Sequence, residues 1–311
     1  MRTSETLIKS KVGITRLVLL IAVLFGLSGV AWGSITACAG TMSSIQSASG
    51  NTPADGCGYA NLGFSSFTSP VTGVIGTTNN ATLPLNTGID LSTTGSSVGT
   101  TSGTIDLTYT CANTTAPCTS TGFNSGNTAG SNNTLNFYTS YGAATMSGQS
   151  SFTGLITGLS LVLSIPTQTS GGTTGSNLEV YEYFCLGGTF SGTTCSTGTS
   201  NLGYLEEKVT WSTANSSATT TTYYYCAAGC TTPVSGSSPY TASFAAQSTV
   251  GIYNDVELNR VSGAGSGVVY LTSFEDQFDM GTVTPEPATL GLVGASLFGL
   301  ALLRARRKRR A

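Results

Sequence analysis

Ile105-Asp106-Leu107-Thr108-Tyr109-Thr110 decides the fold, because its apolar and polar side chains alternate strictly. Successive side chains on a strand point to opposite faces, so a period of two makes one apolar and one polar face. Val250 to Leu258 repeats the pattern, with Val250, Ile252, Val256 and Leu258 set against Tyr253, Asp255 and Glu257. Asn254 is the one polar entry on the apolar side of that run. Further strand candidates, rich in Val, Tyr, Thr and Phe, are Leu159-Ile165, Leu178-Leu186, Tyr204-Ser212, Thr219-Ala227 and Gly267-Phe274. No amphipathic helical stretch of useful length lies between the two terminal apolar runs. The pattern predicts an all-β protein, an antiparallel β-sandwich with long Ser/Thr/Gly-rich loops.

The loops are read from composition. Ser92-Gly103, Asn113-Asn133 and Ser191-Ser200 are dominated by Ser, Thr, Gly and Asn and are expected as turns or loops. The span 34–283 suffices for one large sandwich or two smaller units. One is favoured, since no composition break resembles a linker before Pro285.

Eight cysteines punctuate this span, an even number. In an oxidising compartment they read as a disulfide framework. They fall into sequence-local pairs: Cys38 with Cys57, Cys111 with Cys118, Cys185 with Cys195, and Cys226 with Cys230. A zinc site is disfavoured, because the spacings do not repeat and the chain has no histidine.

The N-terminus explains the oxidising compartment. Arg2, Lys9, Lys11 and Arg16 precede the apolar run Leu17 to Val30, followed by the small-residue stretch Gly29-Val30-Ala31-Trp32-Gly33. This is the pattern of a secretory signal peptide over residues 1–33, engaging the export machinery as a helix and cleaved after Ala31 or Gly33. An uncleaved signal anchor is the alternative. Ile35-Thr36-Ala37-Cys38 resembles the motif before a lipidated cysteine, but it lies late and would leave seven other cysteines.

The C-terminus supplies a second membrane element. Pro285 and Pro287 break regular structure after the body. The sixteen residues Ala288–Leu303 carry no charge and are followed by six cations within Arg304–Arg310. As a helix the run spans roughly 24 Å, short for a hydrocarbon core of about 30 Å but usable with snorkelling arginines. The positive-inside rule keeps 304–310 cytoplasmic and places the body outside.

Pro285-Glu286-Pro287, the short glycine-containing apolar run and the terminal arginine cluster resemble the PEP-CTERM sorting signal of Gram-negative, exopolysaccharide-producing bacteria. The resemblance implies processing by an exosortase, an integral-membrane cysteine transpeptidase-like protease. Pro285, Glu286 and Pro287 would be its recognition element, 288–303 the transmembrane helix, and 304–310 the basic stop. Many family members carry Val before the tripeptide where this chain has Thr284. The match covers under a tenth of the chain, and the family shares a signal rather than a fold or an activity.

Charge excludes one class of partner. Lys208 and Arg260 are the only cations in residues 34–283, against twelve carboxylates, a formal charge of −10. Nucleic-acid binding needs cations against phosphate and is not expected. The absence of histidine removes Ser-His-Asp and Cys-His catalysis, and no glycine-rich phosphate loop precedes Lys208. Paired carboxylates stay open: Glu179 with Glu182, Glu206 with Glu207, and Glu275 with Asp276 and Asp279. The first two pairs stand an odd number apart, which on one strand sets their members on opposite faces. Asp276 and Asp279, read as following the last strand, could join Asp255 around Ca²⁺, although no EF-hand spacing supports it. The aromatic groups Tyr223-Tyr224-Tyr225 and Tyr181, Tyr183, Phe184 suit either a core rim or a sugar-stacking platform. Asn80, Asn113, Asn132 and Asn215 begin glycosylation sequons.

The expectation is an exported surface or matrix protein, not an enzyme, without cofactor or metal, structural or adhesive in contact with exopolysaccharide. A carbohydrate-binding module and a carboxylate-dependent glycosidase are the alternatives.

Overall fold

The computed structural model describes residues 36–48, 56–68, 88–98, 102–111, 118–119, 122–125, 133–146, 154–165, 175–211, 219–261 and 268–281. The expected signal peptide 1–33, the sorting segment 284–311 with Pro285, Glu286 and Pro287, and the four sequon asparagines lie outside them. Among the described residues no helix is long and apolar enough to cross a membrane.

The chain opens with β1 (Ala39–Thr41), the short helix α1 (Met42–Ala48), β2 (Cys57–Tyr59), β3 (Leu62–Ser65), β4 (Ile89–Val98) and β5 (Ser102–Cys111). Next come β6 (Cys118–Thr119), β7 (Gly122–Asn124), β8 (Asn133–Thr145), β9 (Leu155–Ser164) and β10 (Asn177–Leu186). A disulfide-bearing hairpin, β11 (Phe190–Ser191) and β12 (Thr194–Cys195), leads to β13 (Leu202–Trp211) and β14 (Thr219–Cys226). The last strands are β15 (Val234–Gly236), β16 (Thr241–Gln247), β17 (Thr249–Arg260), β18 (Tyr270–Leu271) and β19 (Ser273–Gly281).

Eight strands form one sheet in the order β15-β14-β13-β10-β17-β8-β3-β2, and six form another in the order β1-β4-β5-β19-β9-β16. Their long neighbours pair antiparallel. The alternation seen in sequence sorts the faces. Ile105, Leu107 and Tyr109 on β5 are buried, as are Phe274 and Phe278 on β19. From the larger sheet, Leu178, Val180, Ile252, Val256 and Phe137 join the same buried cluster. Rings meet between the sheets: Phe64 with Phe278 at 5.5 Å and Phe137 with Phe274 at 6.3 Å. Each such side chain, fully buried, contributes about 1.5–3 kcal/mol.

Two sequence expectations are corrected. Within Ser92–Gly103, the described residues Ser92–Val98 and Ser102–Gly103 are strand rather than loop, in a ladder whose register runs from Ile89↔Cys111 to Val98↔Ser102. Ladder pairing with β5 overrides a loop-like composition in which threonine is itself β-branched. Asp276 and Asp279 lie within β19 rather than after the last strand. A short helix, α1, packs Met42 and Ile45 into the core, too brief for a helical period to show in sequence.

The structure pairs Cys38–Cys57, Cys111–Cys118, Cys185–Cys195 and Cys226–Cys230. Each closes a local loop, the longest spanning a separation of 19 residues and the shortest 4.

Candidate functional site

The outward face of the eight-stranded sheet concentrates aromatic and acidic side chains in rows set by the strand register. One row runs Tyr224, Glu206, Tyr181, Asp255, Tyr138 across β14, β13, β10, β17 and β8. With strands about 4.8 Å apart, it spans roughly 19 Å. The adjacent row sets Tyr204, Tyr183 and Tyr253 side by side. On the other flank lie Thr222, Lys208, Glu179, Glu257 and Asn136.

The rings touch one another and form a continuous surface. Tyr181 and Tyr183 stack at 5.9 Å, Tyr183 lies 5.4 Å from Tyr204, and Tyr253 is 5.7 Å from both Tyr183 and Tyr138. The β11–β12 hairpin closes one end, setting Phe190 5.7 Å from Tyr253. Glycine permits that crossing: a Cβ on Gly251 would stand 2.7 Å from the Thr189 backbone.

The acids on this face differ in their compensation. Glu179 forms an ion pair with Lys208 and accepts hydrogen bonds from Asn177 Nδ2 at 3.0 Å and Tyr181 Oη at 3.1 Å. Glu257 accepts from Asn136 Nδ2 at 2.9 Å. Glu206 is pushed up to about 7, first by burial and then by the Glu179 charge, with Lys208 opposing. Asp255 is pushed up to about 6 by burial and by Glu257 and Glu179. Burial also raises the hydroxyls of Tyr181 and of Tyr183, the latter to about 12. Near neutral pH the face therefore offers phenol donors, carboxylates that accept, and a Glu206 carboxyl that can do either.

The other sequence candidates separate. Glu179 and Glu206 face outward, whereas Glu182 and Glu207 stand on the inward face of the same strands. Tyr224 is outward, and Tyr223 and Tyr225 point the opposite way, Tyr225 stacking on Tyr240 at 6.0 Å. Phe184 belongs to the core, 5.8 Å from Phe244, and not to the Tyr181–Tyr183 surface. Asp255, Asp276 and Asp279 do not share a cation site. Asp255 lies outward on the larger sheet, Asp276 is fully buried, and Asp279 faces outward on the smaller one. Among the described residues no three His, Cys, Asp or Glu side chains group as a metal centre.

Sequence reasoning missed Tyr138, Tyr204 and Tyr253 as partners of Tyr181 and Tyr183. Tyr204 and Tyr253 lie on strands that were legible, whereas β8, which carries Tyr138, and the order of strands that sets the rings side by side were not.

A family model for the PEP-CTERM protein-sorting motif matches residues 283–308, the segment holding Pro285-Glu286-Pro287, the apolar run and most of the basic cluster. The chain thus carries an exosortase-directed sorting signal, which implies export and passage through the membrane toward the cell surface. No characterised protein and no solved structure matches the chain.

Proposed function

We propose that the body is a non-catalytic structural or adhesive protein of the envelope or extracellular matrix, contacting exopolysaccharide through the outward face of its larger sheet. Residues 1–33 direct export, 288–303 hold the chain briefly in the membrane, and exosortase acts at Pro285-Glu286-Pro287. The observation that carries the reading is the contiguous tyrosine surface flanked by Glu206 and Asp255. Tyrosine rings present flat apolar area at low side-chain entropy cost, and carboxylates accept from hydroxyls, which is what a sugar ring offers. The body's formal charge of −10 favours neutral or amino-bearing sugars over acidic ones.

The test is retention of the mature protein on the host's purified exopolysaccharide. Tyr181→Ala with Tyr204→Ala is expected to abolish retention while leaving the unfolding transition cooperative. Undiminished retention would remove the outward face from the reading. Sorting is tested separately by intact mass in hosts with and without exosortase. The segment beyond the Pro285 region should be lost only where the enzyme is present. Four disulfides should add about eight daltons on reduction.

A glycosidase is the second reading, favoured by one observation: Glu206 and Asp255, both with raised pKa values, flank Tyr181 in a single row. Their backbones stand two strand spacings apart, about 10 Å, near the upper end of the roughly 6.5–9.5 Å between carboxyl groups in inverting enzymes. Release of reducing ends from the same polysaccharide, abolished by Glu206→Gln, would establish it. Retention without turnover favours the matrix protein.

A further inference from the structure

The inward faces of the two sheets are mainly apolar, and the buried polar groups on them include a cluster drawn from β19, β17 and β10. Asp276 on β19 lies between Leu107 on β5 and Leu161 on β9, and it is fully buried. It points toward the larger sheet, where its Oδ2 accepts hydrogen bonds from Tyr141 Oη and from Asn254 Nδ2, each at 2.6 Å. Asn254 on β17 is the register partner of Glu182 on β10, so their side chains emerge together on the inward face. Glu182 and Asn254 are likewise fully buried.

The hydrogen bonds do not exhaust these groups. Both carboxylate oxygens of Glu182, Oδ1 of Asp276, Oδ1 of Asn254 and the hydroxyl of Tyr109 find no hydrogen-bond partner among the described residues. Tyr109 lies close enough to Asn254, Asp276 and Glu182 to be perturbed by all three. Burial and the neighbouring Asp276 charge raise the Glu182 carboxyl, and burial raises Asp276. Two carboxyl groups and two further oxygen-bearing side chains thus meet in the core with five oxygens unspoken for. A buried carboxylate without compensation costs several kcal/mol, so something must neutralise the pair.

We propose that Glu182, Asp276, Asn254 and Tyr109 form a buried site for one hard divalent cation of the Ca²⁺ class, tying the two sheets together. The donor set is all oxygen, with no sulfur or imidazole, which selects a hard ion. Two carboxylates balance one divalent charge. Glu182, with both oxygens unengaged, suits bidentate carboxylate coordination, and an amide carbonyl oxygen is an ordinary ligand for calcium. Magnesium, which keeps several waters in a strict octahedron, fits a buried all-side-chain cluster less well. The four side chains offer five free oxygens, so at least one water would complete the six to eight that calcium takes.

The test unfolds the mature protein, then refolds one portion in CaCl₂ and another in EDTA. Elemental analysis should find one calcium per chain in the first and none in the second. The calcium form should melt about 5–10 °C higher at a hundredfold excess over the dissociation constant. MgCl₂ should give a smaller shift. Glu182→Gln should remove both the bound calcium and the shift, and Tyr109→Phe should raise the calcium concentration needed. Refolded wild-type protein that carries no calcium and melts alike in both buffers would overturn the proposal, leaving protons as the neutralising partners. A calcium response that survives in Glu182→Gln would overturn it too, by placing the ion elsewhere. Should Glu182→Gln not fold, wild-type stoichiometry and Tyr109→Phe still decide.

Discussion

Glu179 and Glu182 stand three residues apart on β10 and face opposite ways. Outward, Glu179 has a lysine, an amide and a phenol for partners. Inward, Glu182 has no hydrogen-bond partner among the described residues. Glu179 and Glu206 keep about 9% of their surface exposed, against none at Glu182, which leaves the outward acids a route to exchange partners with water or ligand. The inward acid is fully buried, and under the proposal above its partner is a bound cation. The same residue type is thus compensated by neighbouring side chains on one face of the sheet and left uncompensated by them on the other.

The largest effect expected from this contrast is on the inward side. Asp276→Ala strands Tyr141 Oη and Asn254 Nδ2 in the core, and chemical denaturation should show a loss of about 3 kcal/mol or more. An equal loss from Tyr181→Ala on the outward face would break the contrast, since that change is expected to act on polysaccharide retention and only modestly on stability.

A pH series sharpens the comparison with Glu206 and Glu207, neighbours in sequence on opposite faces. Both are pushed up to about 7, chiefly by burial. A raised folded-state value means the folded form holds its proton more tightly. The resulting stabilisation is full below the ordinary carboxyl range near 4.5 and is lost as pH rises through about 7. Melting temperature should therefore fall between those limits. Glu206→Gln and Glu207→Gln should each flatten part of the fall, and a profile that rises with pH would contradict the assignment.

The smallest effect belongs to the Lys208–Glu179 ion pair on the outward face. Lys208→Met should cost no more than about 1 kcal/mol, because partly exposed pairs are screened by water and salt. Its larger consequence is electrostatic: without the lysine that opposes the shift, the Glu206 carboxyl should titrate higher still. Carboxyl chemical shifts followed by NMR would record this.

Much of the strand pattern could be read from the sequence, because period-two alternation is local. Ile105 to Thr110 and Val250 to Leu258 declare their faces without knowing their neighbours. The inward acids left a local trace as well. Asn254 stood out as a polar entry on an apolar register. Asp276 in Phe274-Glu275-Asp276-Gln277-Phe278 and Glu182 in Leu178-Glu179-Val180-Tyr181-Glu182 obey the same signal. That these three converge depends on two sheets facing each other, which no local pattern encodes. The outward rows depend likewise on β10 lying between β13 and β17. The sorting signal shows the reverse case. Its meaning lies wholly in the linear order of Pro285-Glu286-Pro287, apolar run and cations, so sequence alone suffices to read it.

The claim that the outward tyrosine rows contact polysaccharide is tested most directly by hydroxyl-radical footprinting of the mature protein with and without host exopolysaccharide. Protection should fall on Tyr138, Tyr181, Tyr204 and Tyr224, leaving Tyr270 and the outward face of the smaller sheet unchanged. Protection confined to that smaller sheet, or no protection on any of the four tyrosines at saturating polysaccharide, would contradict the account.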